Sequence, residues 1–187
     1  MDIFSHGLYG GVAFGRKSRW SYWLAFFFGI APDLFSFGLF FILTFLGFAE
    51  HPDWSSGNHP DPSAIPAFVH SLYDGTHSLV VFAVVFGLVW LIRKRPLIEM
   101  LGWPLHISVD IPTHSEKFFP TPFLWPISDF HVNGTNWGRP EIFIPNLLVL
   151  AGLYFAWFYY ARRQKDTTDA SATRSIVDSK TNSQPKC

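Results

Sequence analysis

Long apolar blocks alternate with short polar segments along this chain. Four blocks predict helices that cross a membrane, at residues 20–49, 78–92, 96–111 and 142–160. The first carries only Asp33 and Tyr22 as ionisable side chains and exceeds the roughly 20 residues that a helix needs to span hydrocarbon. Residues 2–14 predict a short arm that dips back toward these blocks. The pattern therefore predicts an all-α integral membrane bundle of about four transmembrane helices plus a short N-terminal helix.

Composition supports a membrane protein and disfavours several other classes. The chain is 49% hydrophobic and only 15% charged, below the charged share of an ordinary soluble domain. Its formal net charge is zero, so we expect no nucleic-acid partner. Cys187 is the single cysteine, which excludes an intrachain disulfide framework and a cysteine-rich zinc site.

Clustered basic residues predict the orientation in the membrane. They fall at residues 16–19, 93–95 and 162–165, and cytoplasmic loops carry an excess of Lys and Arg. If these clusters are cytoplasmic, both termini lie inside a bacterial inner membrane that the chain crosses several times. We expect one membrane-embedded domain at residues 1–161. Residues 162–187, which are rich in Ser, Thr, Asp and Lys, predict a disordered cytoplasmic tail.

Five potential metal ligands from separate segments are predicted to reach a similar depth. A helix rises about 1.5 Å per residue, so the number of residues between a basic cluster and a candidate ligand gives the depth of that ligand in the membrane. Asp33, His77 and Asp110 come out roughly 21 to 24 Å from the nearest cluster, and His106 and His6 roughly 15 to 17 Å. This convergence in the outer half of the bilayer is the strongest functional signal in the sequence.

The residue types at this level suit a divalent cation. His106 and Asp110 are four residues apart on one helical face, and His114 extends the same stripe unless Pro112 breaks it. Imidazole and carboxylate ligands favour zinc, as one or two ions, held by His6, Asp33, His77, His106 and Asp110. Such an ion lowers the pKa of water and makes it a nucleophile, which predicts hydrolysis.

Further residues are candidates for proton transfer or for orienting the ligands. We predict catalytic roles for Asp110, His114 and Asp74, because each carries a group that can accept a proton near the ligands. His70 and His131 are candidates for supporting groups around the ligands. The segment 118–140, rich in proline and aromatic residues, predicts a cap at the outer interface.

Each ligand candidate also has a purely structural interpretation. Asp33 could cap a helix after Pro32, and His106 and Asp110 could be a hydrogen-bonded pair that holds two helices together. His77 could donate to a loop carbonyl, and His6, near the chain end, could be exposed. None of these interpretations predicts a common depth.

The ligand motifs together resemble a known family. "SHGLYGG", "GIAPD", "GTHSLVVF" and "LHISVDIPTH" are similar in order and spacing to bacterial membrane-bound metal-dependent hydrolases of the LexA-regulated type. That resemblance covers residues 1 to about 130 and implies a multi-pass inner-membrane hydrolase. The scattered His residues and the His-x3-Asp helix also resemble zinc-dependent phospholipase C.

The chain departs from both patterns. "PDLF" lacks the second acidic residue that the hydrolase family usually has two positions after the Asp, and the tryptophan N-terminus of the phospholipase is absent. These departures favour one or two ions over three.

Three functions follow as hypotheses. The first is a metal-dependent hydrolase that acts on phosphoester or lipid-linked substrates, with the lipid bilayer as its environment. The second is a small metal or proton transporter, because intramembrane Asp and His residues also line ion pathways. The third is a non-catalytic membrane scaffold whose polar residues hold helices together.

Overall fold

The computed structural model describes residues 1–50 and 65–182, with side chains through Arg163, and in these ranges it is helical without a β-strand. The α-helices are α1 (Ile3–Phe14), α2 (Arg19–Asp33), α3 (Leu39–Phe45), α4 (Ala67–Thr76), α5 (Leu79–Arg93), α6 (Gly102–Thr113) and α7 (Pro140–Asn182). A π-helical segment, Leu34–Gly38, joins α2 to α3, and a 3₁₀ turn, Ile98–Leu101, leads into α6. The predicted all-α class is confirmed.

Two helical stretches are long and apolar enough to cross a membrane. They are Arg19–Phe45 and Pro140–Arg163, and a third is possible if α4 and α5, bent by 62° at their junction, count as one span. The block at 96–111 does not form such a helix. It divides into the 3₁₀ turn and the 12-residue α6, which is about 18 Å long against a hydrocarbon core of about 30 Å. A bundle of four spans is therefore not confirmed.

Backbone contacts divide the chain into two units, Met1–Leu150 and Ala151–Cys187. The predicted domain boundary after residue 161 falls inside α7, whose helical backbone continues to Asn182. The disorder of residues 162–187 stays a prediction, and the last five of these residues lie outside the described part of the chain.

Glycines let α1 lie directly against α2. A methyl group added to Gly29 would stand 2.5 Å from the carbonyl oxygen of His6, and one added to Gly10 would stand 2.5 Å from the carbonyl oxygen of Ala25. Small residues permit this close approach of backbones, as at many helix interfaces in membranes. The packing carries His6, on α1, to the same level as the end of α2.

Polar side chains fasten α1 to the first turns of α7. Asn146 is buried and donates from Nδ2 to Ser5 Oγ at 2.8 Å. Its Oδ1 accepts from the Tyr9 hydroxyl, also at 2.8 Å. Asp2 caps α1 by accepting from the backbone N–H of Ser5. The N-terminal helix is thus held on two sides within the first unit.

The end of α2 is irregular where Asp33 lies. Pro32 has no N–H, so one helical hydrogen bond is missing, and the π-helical segment begins directly after Asp33. The Pro32 carbonyl accepts from two side chains, Ser36 Oγ at 2.9 Å and Thr76 Oγ1 at 3.2 Å. Single-turn π segments are frequent at functional sites. Here the segment directly follows the Asp33 carboxylate, and the hydrogen bond from Thr76 to Pro32 joins the end of α2 to the end of α4.

The segment after α6 folds back over the end of that helix. Backbone N–H groups of Gly134, Thr135 and Trp137 donate to the carbonyls of His114, Pro112 and Thr113. This arrangement places the proline-rich segment against the C-terminal end of α6. The position of this segment at the outer membrane interface stays a prediction.

Two of the basic clusters lie at one end of the first unit. Lys17, Arg93 and Arg95 line the same cavity of about 610 Å³, together with Trp20 and Trp23. The predicted position of both clusters on one side of a membrane stays a prediction.

Candidate metal centre

Four side chains converge at the centre of the first unit. Asp33 is the last residue of α2, His77 lies at the bend between α4 and α5, and His106 and Asp110 lie one turn apart on α6. One potential ligand atom from each lies within 4.8 Å of all the others. The side chains of His77, His106 and Asp110 are buried, and that of Asp33 is 17% exposed. This buried cluster could bind a metal ion.

The individual distances are short and similar to one another. His106 Nε2 lies 3.0 Å from Asp110 Oδ2, 3.1 Å from His77 Nε2 and 3.8 Å from Asp33 Oδ1. His77 Nε2 lies 3.4 Å from Asp33 Oδ1 and 3.7 Å from Asp110 Oδ2. The four atoms therefore surround one point instead of forming two separate pairs.

Backbone carbonyls determine which imidazole nitrogen carries the proton. His106 Nδ1 lies 2.7 Å from the carbonyl oxygen of Gly29, and His77 Nδ1 lies 3.1 Å from that of Tyr73. A carbonyl oxygen only accepts, so in each case Nδ1 is the donor. In a neutral ring Nε2 then carries a lone pair, and both lone pairs face the cluster. A backbone carbonyl behind a histidine is the usual support of a metal ligand.

One buried oxygen in the cluster has no hydrogen-bond donor. Asp110 Oδ2 is buried and without a hydrogen-bond partner among the described residues. Burying a carboxylate oxygen without a partner is costly unless a cation compensates it. A proton on His106 Nε2 would serve this oxygen alone, whereas a cation at the shared point would serve all four ligand atoms. The donor set thus fits a metal ion.

The other oxygen of Asp110 has a second group of neighbours. Asp110 Oδ1 lies 3.0 Å from His6 Nε2 and 3.5 Å from His114 Nε2. It also accepts from the amino nitrogen of Met1, which is 3.3 Å from His114 Nε2. His6 stacks on His106 with ring centroids 3.7 Å apart. Both predicted residues, His6 and His114, are therefore at the centre but on the opposite side of the Asp110 carboxylate.

The protonation of His6 and His114 follows from their surroundings. Burial lowers the pKa of His6 to about 4, although the nearby Asp110 carboxylate acts to raise it. His6 is therefore a neutral imidazole near neutral pH. His114 Nδ1 lies 2.9 Å from the carbonyl oxygen of Phe119, so this ring too donates from Nδ1 and presents Nε2 to the centre.

Three predicted residues lie away from the cluster. Asp74 is half-buried on α4 and does not belong to the four-residue group. His70 stacks on Phe119 with ring centroids 4.6 Å apart. His131 is exposed, near Glu116 at 3.9 Å and with Nδ1 3.0 Å from the Asp129 carbonyl oxygen. Catalysis by Asp74 and supporting roles for His70 and His131 stay predictions.

Tyr73 is a central residue that sequence reasoning missed. Its ring stacks on His77 with centroids 3.8 Å apart, and its hydroxyl donates to the Phe119 carbonyl oxygen at 3.0 Å. The same hydroxyl lies 3.3 Å from His114 Nδ1. Tyr73 thus connects two of the histidines. The available signal was its position four residues before His77, which places both on one helical face.

A cavity of about 450 Å³ adjoins the centre. Asp33 and His114 contribute to its lining, and most of the remaining wall is apolar. The partly exposed Asp33 carboxylate belongs to both the cluster and the cavity wall, so the cluster is open to the cavity at this residue. A small molecule in this cavity can therefore contact the candidate metal centre.

Comparison with known proteins identifies no relative: no family model, no curated protein and no solved structure matches this chain. The resemblance to membrane-bound metal-dependent hydrolases stays a prediction.

Proposed function

We propose that this chain is an integral membrane metal-dependent hydrolase that holds zinc between Asp33, His77, His106 and Asp110. The observation that carries the proposal is the spacing of the ligand atoms. Zinc with ligands near 2.0–2.1 Å in a tetrahedron requires ligand atoms about 3.3 Å apart. Five pairs in the cluster are separated by 3.0, 3.1, 3.4, 3.7 and 3.8 Å.

The charge and chemistry of the donor set also favour zinc. Two carboxylates and two neutral imidazoles balance the charge of a divalent ion. Imidazole nitrogen suits zinc, whereas calcium and magnesium prefer sites made of oxygen alone. The other Asp110 oxygen accepts from the amino nitrogen of Met1, which is also close to His114 Nε2, so the geometry favours a single ion.

Hydrolysis is the reaction that such a centre supports best. A bound divalent ion lowers the pKa of water and polarises an ester oxygen. In the reaction, water adds to the phosphorus of a phosphoester, the bond between phosphorus and the alcohol oxygen breaks, and the alcohol leaves with a proton. Asp33 and His114 are the residues of the centre that reach the cavity, so they contact the substrate there.

His114 is the group best placed to accept the proton from water. Its Nδ1 donates to the Phe119 carbonyl oxygen, which leaves Nε2 with a lone pair. Its side chain is 12% exposed, whereas His77 and His106 are closed off. A proton acceptor must be within reach of the reacting water, and that condition favours His114 over the buried pair.

Location in a bacterial inner membrane, with the basic clusters in the cytoplasm, is part of the same proposal. The two apolar helices support it, as does the shared cavity of Lys17, Arg93 and Arg95. A metal or proton transporter is the second candidate. It is favoured by the position of Asp33 inside the candidate span Arg19–Phe45, since ionisable residues in spans often mark ion pathways.

Elemental analysis combined with an ester assay tests the proposal. Detergent-purified wild-type protein is expected to contain zinc in stoichiometric amount and to hydrolyse a phosphoester, and Asp110→Asn is expected to lose both. Glu99→Gln is the matched control, because Glu99 is also a buried carboxylate but bonds to Ser21 Oγ, outside the cluster. Zinc without any hydrolysis, together with zinc uptake by reconstituted vesicles, would decide for the transporter. Protein without a transition metal would refute the hydrolase and a metal transporter, and would leave proton transport as the remaining candidate.

A further inference from the structure

The cavity beside the candidate metal centre has a few ionisable residues and many apolar residues in its lining. Asp2, Asp33 and His114 supply the ionisable side chains, and Ile3, Phe4, Phe37, Phe41 and Phe118 are among the apolar residues of the wall. Its volume of about 450 Å³ lies in the range of roughly 300–1,000 Å³ that is typical of ligand pockets. A ligand that fits both parts must itself have a polar and an apolar end.

The apolar part extends along one helical face from the centre. Asp33, Phe37 and Phe41 follow one another at intervals of four residues through the end of α2, the π-helical segment and α3. Eight residues of helix correspond to a length of about 12 Å. The cavity thus provides a groove that leads away from the Asp33 carboxylate.

The wall of this groove is well supported on its inner side. The Phe37 ring packs edge-on against Phe119, with centroids 4.7 Å apart, and lies 6.3 Å from the Phe118 ring. Phe119 belongs to the buried apolar cluster of Phe40, Ile65, Val69 and Tyr73. Aromatic rings held in this way present a fixed apolar surface to a ligand.

The rim of the groove lies on the surface that the candidate span turns outward. Phe4 is 70% exposed and Phe41 is 49% exposed. Phe41 belongs to the stretch Arg19–Phe45, which is long and apolar enough to cross a membrane. A hydrocarbon chain in the surrounding bilayer can therefore enter the groove from the side.

We infer that the substrate is an amphiphile whose phosphoester head lies at Asp33 and His114 and whose hydrocarbon chain lies along Phe37 and Phe41. The identity of the head as a phosphoester rests on the proposed hydrolase function. The apolar chain follows from the wall of the groove, where Phe37, Phe41 and Phe118 present apolar surface to a ligand. A free sugar phosphate or nucleotide would leave this apolar wall uncovered.

Binding of alkylphosphonates to the full-length, zinc-loaded protein tests this inference. These compounds carry a phosphate-like head that cannot be hydrolysed, and chains of two, four and six carbons stay soluble below micelle formation. Calorimetry gives a dissociation constant for each. We expect the dissociation constant to fall with chain length, up to about fourfold for each methylene that becomes buried.

Two phenylalanines of α3 provide a matched pair of variants. Phe41→Ser removes a groove residue and is expected to flatten the dependence on chain length. Phe45→Ser, one turn further along, changes a residue that is 90% exposed and not in the lining, so its dependence should equal that of wild type. Phe4→Ser provides an independent second variant on α1, should Phe41→Ser fail to fold.

The measurement distinguishes failure of this inference from failure of the hydrolase proposal. Equal affinity for all chain lengths in the wild type, or the same dependence in Phe41→Ser and Phe45→Ser, overturns the inference even if the protein hydrolyses esters. If the hydrolase proposal is wrong instead, the wild-type protein hydrolyses no phosphoester, while the affinity for alkylphosphonates still depends on chain length.

Discussion

The Nε2 atoms of His77 and His106 face each other at 3.1 Å, although 29 residues separate the two positions in the chain. Each ring donates from Nδ1 to a backbone carbonyl, of Tyr73 and Gly29 respectively. Two neutral imidazoles in this arrangement direct lone pairs at each other. A cation between the two Nε2 atoms attracts both lone pairs, so this pair is well suited to bind a metal ion.

The two histidines are expected to bind zinc as a unit. His77→Ala and His106→Ala should each weaken zinc binding by more than the roughly 10–100-fold that loss of an orienting partner costs. The double variant should be little weaker than either single one, because each removes a ligand of the same ion. Competition with a chelator of known affinity measures this. His70→Ala serves as the control, and equal weakening in that variant would count against the assigned ligands.

The protonation pattern of the rings can be observed directly. In protein labelled with ¹⁵N-histidine, His77, His106 and His114 should each carry the proton on Nδ1, since each Nδ1 lies within 3.1 Å of a carbonyl oxygen. Long-range ¹H–¹⁵N correlation spectra distinguish the two tautomers. A proton on Nε2 of His77 or His106 in zinc-loaded protein would contradict coordination through that atom.

Gly29 should be intolerant of even one added methyl group. In Gly29→Ala the new carbon would meet the His6 carbonyl oxygen at 2.5 Å, so α1 must move away from α2. We expect a loss of about 1–3 kcal/mol in stability from overpacking, together with weaker zinc binding because Gly29 also orients His106. Thermal unfolding in detergent and zinc titration measure the two effects.

Gly87→Ala is the matched control for Gly29→Ala. Among the residues that the structure describes, no atom outside the neighbouring backbone of α5 lies within 4 Å of a methyl group on Gly87. Alanine favours a helix over glycine by roughly 0.5–1 kcal/mol. Stability should therefore stay level or rise in this control. If both variants behave alike, the close contact between α1 and α2 does not have the role assigned to it.

Zinc should stabilise the folded protein through the cluster. Free zinc at about 100 times its dissociation constant adds roughly 2.7 kcal/mol, because it binds the folded state only. The melting temperature should rise with added zinc in wild type and in Glu99→Gln, and fall when a chelator removes the ion. Asp110→Asn should show no such response, and a response equal to that of wild type would place the ion elsewhere.

Asn146 should contribute to stability through its two hydrogen bonds. Asn146→Leu leaves the hydroxyls of Ser5 and Tyr9 without this partner, and loss of such bonds between helices costs about 1 kcal/mol. Denaturation of the purified variant measures the change. Ser108→Ala is a suitable control, since Ser108 is exposed and its hydroxyl donates to the Pro104 carbonyl of its own helix. A similar loss in this control would argue against a specific role for Asn146.

Much of the local structure could be predicted from the sequence. Apolar blocks indicate helices because a helix satisfies its own backbone groups, and that rule holds whatever surrounds the helix. The spacing of His106 and Asp110 places them on one face for the same reason. The rise per residue selected Asp33, His77, His106 and Asp110 as residues that could meet, and the structure places their side chains in one cluster. Their common depth in a membrane stays a prediction.

Sequence by itself thus determined the helical class and the residues that could meet, since both follow from local periodicity. Only the tertiary structure decided how they meet: that residues 96–111 form a short helix instead of a span, that His77 lies at a bend, and that Asp110 faces histidines with both oxygens. Rotation and lateral distance between helices depend on contacts such as Gly29 against His6, which join distant parts of the chain. No periodicity along the sequence encodes those contacts.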